Sequence, residues 1–249
     1  MIDLVRRGRL GLLEIRHGKA NAIDVEFCEA LRVRLEEARN PDVAGLVIVG
    51  EGRMFSAGVD LLRVIDGGAA YVRVFLPAFR RVFETLFDYP KPVVAAVNGH
   101  AIAGGCVLAC AADHRVMASG TARIGVPELL VGVAFPTVAF ETVRNACSGP
   151  LRDLIFTGRT LLPEEARAEG LVDAVVAPDA LLEGALKAAE ALADRPQKAF
   201  VLTKRQFRAD AMARIAANRE TVDREVEDLW CADGTLRTIR AYVERTLKK

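Results

Sequence analysis

The chain has 249 residues, with 34 lysines and arginines against 33 aspartates and glutamates, for a net charge of +1. That balance excludes a basic nucleic-acid surface and an acidic tail. Hydrophobic residues make up 51%, enough for a buried core, so disorder over most of the chain is excluded and the length suits one large domain, or one with an appendage. Cys28, Cys106, Cys110, Cys147 and Cys231 are odd in number and scattered, with no CxxC pair and no histidine–cysteine set that completes a zinc site. Reduced thiols and no metal are expected. Met1 to Arg7 lacks the apolar core of a signal peptide, no apolar stretch is long enough to span a bilayer, and Thr246-Leu247-Lys248-Lys249 is not a peroxisomal address. A cytoplasmic protein without membrane or nucleic-acid partners is the expectation.

Residues 2–7 and 10–16 read as two strands joined at Gly8. Asp24 is placed as the N-cap of a helix from Val25 to Arg39, where Phe27, Leu31, Leu35 and Ala38 keep helical spacing and Asn40-Pro41-Asp42 stops it. The run 44–49 (AGLVIV) suits a strand buried on both faces, followed by a turn at Gly50-Glu51-Gly52. A helix is expected over 68–88, a second buried strand over 93–97 (VVAAV), a small-residue helix from Gly104 and a third strand over 114–118. This alternation argues for an α/β layered fold with at least partly parallel pairing. The last third is mostly helical, over 164–168, 179–193 and from Pro196 onward. Pro196 is the expected boundary, dividing a core of residues 1–195 from a charged, amphipathic appendage of 196–249. The appendage cannot form a core alone and should pack on the main domain or on another subunit.

Two glycine-bearing segments follow buried strands: Phe55-Ser56-Ala57-Gly58-Val59-Asp60-Leu61, and Asn98-Gly99 running into Ala103-Gly104-Gly105-Cys106. Glycine admits close approach of a ligand to backbone, and a strand-to-helix junction leaves N–H groups free at the positive end of a helix dipole. Two such junctions on adjacent strands could aim two N–H groups at one oxygen, as an oxyanion hole does; two tight turns would look the same. Neither segment fits GxGxxG or a P-loop.

Together with Lys19-Ala20-Asn21-Ala22-Ile23, the run from Lys91 to Asn98-Gly99, and Ile124-Gly125-Val126-Pro127-Glu128-Leu129-Leu130-Val131-Gly132, these segments make the sequence resemble the crotonase superfamily, the enoyl-CoA hydratase/isomerase family. Thr157-Gly158-Arg159 and Ala168-Glu169-Gly170-Leu171-Val172-Asp173 extend the resemblance over nearly the whole chain. It implies an α/β crotonase-like fold of repeated ββα units, with a C-terminal helical oligomerisation region and a homotrimer or dimer of trimers. The substrate would be an acyl-CoA thioester, with CoA as part of the substrate and no separate cofactor. The N–H groups of Val59 and Gly104 would hold the thioester carbonyl oxygen. Lys19, Ala20, Ala22 and the run Ala57, Gly58, Val59, Asp60 and Leu61 would line the CoA site.

Hydratases of this family carry two glutamates, one after GGC and one in a PE pair. Here the first position is Val107 and the second is Glu128. Valine has neither an acceptor nor a titratable proton, so efficient hydration is not expected. One carboxylate is enough to move a double bond from C3–C4 to C2–C3, and in this the sequence resembles mitochondrial-type Δ3,Δ2-enoyl-CoA isomerases, as do Leu202-Thr203-Lys204 and Tyr242-Val243-Glu244-Arg245. The acid that other isomerase branches place eight residues after the glutamate is Pro136 here. Glu128 is expected among Val107, Leu129, Leu130, Val131 and Phe135, with a raised pKa.

Other residues receive plainer roles. Asp60 caps a helix, Asp113 is structural, Cys106 packs, and His17, His100 and His114 lie too far apart for a metal triad, although His100 could line the pocket. Glu51 and Glu141 are expected at the surface, and so is Lys204, with contact to a CoA phosphate as its alternative. Segment 62–80 should shape the acyl pocket, with Gly67-Gly68 giving it freedom to move. The alternatives are a hydratase, another CoA-thioester reaction such as hydrolysis or decarboxylation, and a non-catalytic acyl-CoA-binding scaffold. A second polar group beside an acyl-site water would favour the first two; tight CoA binding without turnover would favour the third.

Overall fold

A computed structural model describes residues 1–246; the C-terminal Thr246-Leu247-Lys248-Lys249, which is not a peroxisomal address, lies outside the described residues from 247 onward. The elements run β1 (Ile2–Arg7), β2 (Leu10–Ile15), α1 (Val25–Glu37), β3 (Gly45–Gly50), β4 (Met54–Ser56), α2 (Leu61–Phe87), β5 (Val93–Val97), β6 (His100–Ile102) and α3 (Gly104–Cys110). They continue with β7 (His114–Ala118), β8 (Ile124–Gly125), α4 (Glu128–Val131), α5 (Thr137–Ala146), α6 (Leu151–Thr157), β9 (Thr160–Leu161), α7 (Pro163–Ala168) and β10 (Ala174–Val176). Four helices close the chain: α8 (Leu181–Ala193), α9 (Gln197–Asn218), α10 (Val222–Cys231) and α11 (Asp233–Thr246).

The strands form two sheets, one in the order β1-β2-β3-β5-β7-β10 and a smaller one in the order β4-β6-β8-β9. All pairs are parallel except β1·β2 and β8·β9. The ββα repeat is visible in chain order. β3-β4-α2, β5-β6-α3 and β7-β8-α4 each give one strand to the large sheet, one to the small sheet, and then a helix. The short strands of the small sheet carry too few residues for a periodicity to show, and the sequence does not announce them.

Alternation along the strands of the large sheet sorts its side chains. Leu10, Leu12, Val47, Val94 and Ala96 pack against Leu181, Ala185 and Ala189 of α8. Leu13, Ile15, Leu46, Ile48, Val93, Ala95 and Val97 face the main core with α1, α2 and α3. Both faces being covered explains the continuous apolar runs AGLVIV and VVAAV. Each of the buried valines, leucines and isoleucines among them contributes about 1.5–3 kcal/mol, the alanines less. Asp24 caps α1 as expected, accepting the Phe27 N–H at 2.7 Å. Helix α2 begins seven residues earlier than the sequence suggests, because Asp60 caps it and the chain then breaks at Gly68 (φ 55°, ψ −151°), a conformation open to glycine.

The C-terminal helices are pinned to the core by buried polar groups, and two surface assignments are corrected there. Lys204 is buried, with its Nζ 2.8 Å from Asp113 Oδ2, and Arg208 Nη2 lies 2.9 Å from Asp113 Oδ1. Asp113 also accepts the Val93 N–H at 2.9 Å, and the Arg208 guanidinium sits 4.3 Å from the centre of the Phe87 ring. Glu141 is buried too, with Arg214 Nη2 2.9 Å from its Oε2. Glu51 is exposed, as expected. On the next helix, Asp223 accepts the Thr137 N–H at 2.7 Å, and the Trp230 indole N–H donates to the Ala134 carbonyl at 2.9 Å. No described helix is long and apolar enough to cross a membrane.

Candidate active site

The three successive repeats place their strand-to-helix junctions side by side, because β4, β6 and β8 are neighbours in the small sheet. The first junction carries Val59, the second starts α3 at Gly104, and the third starts α4 at Glu128. A single architectural device therefore supplies all three groups.

The N–H groups of Val59 and Gly104 have no partner among the described residues. Around Val59 the backbone is fixed from both sides: the Ile23 N–H donates to the Gly58 carbonyl at 2.8 Å and the Asp60 N–H to the Ile23 carbonyl at 3.0 Å. Gly58 has φ +82°, and a Cβ there would fall 2.6 Å from the Ile102 carbonyl oxygen and 2.9 Å from the Gly104 nitrogen. A Cβ on Gly104 would stand 3.6 Å from the Val59 nitrogen. The two junctions thus touch, and only glycine permits it. Ala103 enters α3 with φ +53° and ψ −123°, a left-handed conformation costing about 1–3 kcal/mol. Its N–H donates to the Gly125 carbonyl at 2.8 Å, which helps hold this turn and leaves the Gly104 N–H unspent at the first turn of the helix.

Both junctions open on a cavity of about 630 Å³, part of it continuous with solvent. Its lining includes Ala57, Val59, Leu61, Ala103, Gly104, Val107, Glu128 and Val131, with Phe75, Leu76 and Phe79 from α2 and Trp230 and Tyr242 from the last two helices. Glu128 is the sole carboxylate among the described residues lining it. Its side chain is buried, its Oε2 has no hydrogen-bond partner, and burial pushes its pKa up to about 8, against a smaller opposite pull from its own backbone N–H. A carboxyl held in apolar surroundings favours its neutral form and is a stronger base once ionised.

Among the sequence candidates, Ala57, Val59, Leu61, Gly104 and Glu128 meet at this cavity. Gly58 and Asp60 belong to its frame: Gly58 by its close approach, Asp60 by accepting the Leu62 and Arg63 N–H groups at 3.1 Å. Lys19 is exposed and Ala20 and Ala22 half-buried on a loop bound to the Ala57 segment, since the Ala57 N–H donates to the Ala20 carbonyl at 3.0 Å. Val107 and Val131 flank Glu128 as expected, but Leu129 and Leu130 are 44% and 51% exposed. His100 is not in the lining; its Nδ1 accepts the Arg123 N–H at 3.1 Å. Segment 62–80 does shape the cavity, through Phe75, Leu76 and Phe79. Trp230 and Tyr242, with Ile102, Val133 and Ala139, are lining residues that the sequence does not indicate. Trp230 lies on the buried stripe of an amphipathic helix with Asp223 and Val226, a signal that reports burial but not what is faced. No group of three or more His, Cys, Asp or Glu among the described residues is placed to hold a metal ion.

Paired ββα junctions with two free N–H groups facing one buried carboxyl define a crotonase-fold protein. The chain belongs to the enoyl-CoA hydratase/isomerase family, whose model matches residues 10–248. It is 35% identical over 237 residues to a Thermus thermophilus protein carrying an enoyl-CoA hydratase name, covering 91% of each chain. A Mycobacterium tuberculosis protein, described as an enoyl-CoA isomerase in one solved structure and as a probable enoyl-CoA hydratase in another, superposes with a TM-score of 0.83 at 31% identity over 90% of this chain and, in the former, 98% of its own. Human mitochondrial Δ3,Δ2-enoyl-CoA isomerase shares the fold with a TM-score of 0.93 over 99% of this chain and 98% of its own, at 24% identity. The protein is accordingly an acyl-CoA enzyme of this family.

Proposed function

We propose that the enzyme moves the double bond of a 3-enoyl-CoA to the 2-position, with Glu128 as its single base. The observation carrying this reading is that Glu128 stands as the sole carboxylate in the described cavity lining, buried and with an unpartnered oxygen, while fully buried Val107 occupies the other family position. The ionised Glu128 removes a proton from C2. The electron pair delocalises through the thioester, and the negative charge on its oxygen is met by the Val59 and Gly104 N–H groups, each such donor being worth about 3 kcal/mol of barrier. The carboxylic acid then returns the proton at C4 as the C1–O carbonyl reforms and the remaining double bond settles at C2–C3. Base and oxyanion donors end as they began.

No metal or redox cofactor is required in this scheme, and CoA enters as part of the substrate. The reading carries with it a cytoplasmic location and a homotrimer or dimer of trimers built through the helical region 196–249. Leu202 and Phe207, exposed on α9, are apolar surface available to such an assembly. Hydration is the second reading, favoured by the hydratase names of relatives such as the Thermus protein. It needs a second polar group near the base, and Tyr242 is the other titratable residue in the described lining. A paired assay separates the two. Formation of 2-enoyl-CoA from 3-enoyl-CoA, with 2-enoyl-CoA left unhydrated, supports isomerisation; rapid loss of 2-enoyl-CoA refutes it.

A further inference from the structure

The oxyanion hole and the loop bearing Lys19 are bound together by an unusual zipper. Ala20 and Asn21 are two consecutive non-glycine residues with left-handed backbone, at φ 65° and 52°. That conformation turns the Ala20 and Asn21 carbonyls and the Ile23 N–H toward the end of β4 and the residues after it. The Ala57 N–H donates to the Ala20 carbonyl at 3.0 Å, the Ser56 hydroxyl to the Asn21 carbonyl at 2.8 Å, and the Ile23 N–H to the Gly58 carbonyl at 2.8 Å. Ser56 Oγ in turn accepts the Gly58 N–H at 3.2 Å. The buried Asn21 side chain locks the loop: its Oδ1 accepts the His17 N–H at 2.9 Å, and its Nδ2 donates to the carbonyls of Met54 and Phe55 at 3.1 and 3.3 Å. His17 Nε2 and Asp24 Oδ1, 2.8 Å apart, close the loop at its base. The Ile23 side chain reaches the other half of the hole, with its Cδ1 3.1 Å from where a Cβ on Gly104 would be.

From this network we infer that Asn21 is a positioning residue of the catalytic machinery, and that the loop 19–23 converts its grip on the CoA moiety into correct placement of the Val59 and Gly104 N–H groups. This rests on the acyl-CoA reading of the loop given above. Binding energy from the part of the substrate that does not react is then used where charge develops, so truncating that part lowers kcat and not only the apparent affinity. Asn21 acts at one remove from the reacting carbons, its side chain through His17, Met54 and Phe55 and its carbonyl through Ser56, which in turn accepts the Gly58 N–H.

The test compares a 3-enoyl thioester of CoA with the same thioester of pantetheine, on wild type, Asn21→Gly and Ser56→Ala. Glycine keeps the left-handed backbone and deletes only the side-chain bonds; alanine at 56 deletes only the hydroxyl link. In wild type, kcat for the pantetheine thioester is expected at least tenfold below that for the CoA thioester. Both variants are expected to lose roughly 10- to 100-fold in kcat on the CoA thioester, below the full loss of one oxyanion donor. KM should change by less than about threefold, and the gap between the two thioesters should shrink toward one. A variant that raises KM with kcat intact overturns the inference, as does a wild type whose kcat ignores truncation. The wild-type comparison stands even if a variant does not fold. Calorimetry with CoA alone separates the two levels: no binding by wild type defeats the acyl-CoA reading itself, whereas binding without the kcat effects defeats only the positioning role.

Discussion

Replacing Glu128 with glutamine should slow the enzyme and stabilise it at the same time. The carboxyl is buried against apolar walls, with Oε2 unpartnered and its pKa moved from an ordinary 4.5 to about 8. The folded state therefore holds a proton between these values that the unfolded chain releases, so stability falls as pH rises from 4.5 to 8 and levels off above. At about 1.36 kcal/mol per pH unit, the full cost is on the order of 5 kcal/mol, an upper bound because solvent can enter the cavity mouth. Glutamine has nearly the same shape and no charge to bury. Urea unfolding of both proteins should give nearly equal stabilities at pH 5, and at pH 9 the variant should be the more stable by up to roughly 5 kcal/mol. Its turnover should fall by about 10²–10⁴-fold. Equal stabilities at pH 9 would contradict the burial argument, and undiminished turnover would remove Glu128 as the base.

The remaining expectations are simpler. kcat/KM should rise with pH through an apparent pKa of about 8, because only ionised Glu128 removes the proton; a profile flat from pH 6 to 9 contradicts this. Asp113→Asn should lower stability by about 3–5 kcal/mol in denaturant unfolding, because it leaves buried Lys204 and Arg208 without their counter-charge. Trp230→Ala should cost about 3–5 kcal/mol and shift acyl-chain preference in a series of enoyl-CoA lengths, since the indole is both core and cavity wall. Light scattering should report three or six copies per particle; a monomer would leave the exposed Leu202 and Phe207 without a role in assembly.

Much of the site could be read from the chain because its chemistry is local. Val59 and Gly104 act through backbone, and the glycines beside them mark where backbone must approach backbone. Glu128 follows a proline at the third junction, in a motif that keeps its register with the other two. What escaped depends on partners distant in sequence. Lys204 reads as a surface lysine until Asp113, 91 residues away, is found against it. Glu141 reads as exposed until Arg214 reaches it from α9. Leu129 and Leu130 lie in an apolar run, but a helix of four residues turns only Glu128 and Val131 inward. Trp230 and Tyr242 enter the cavity because α10 and α11 fold back across α2 and the segment after α4, a consequence of packing that periodicity alone does not encode.

The claim that one carboxylate carries the proton both ways is tested most directly with 3-enoyl-CoA deuterated at C2. Glu128 takes deuterium from C2 and delivers it to C4 in competition with exchange at the cavity mouth, so mass spectrometry of the 2-enoyl-CoA product formed in ordinary water should find part of the deuterium at C4. Product that carries only solvent hydrogen at C4, together with turnover that survives Glu128→Gln, would mean that a second group protonates it, and the single-base account would be wrong.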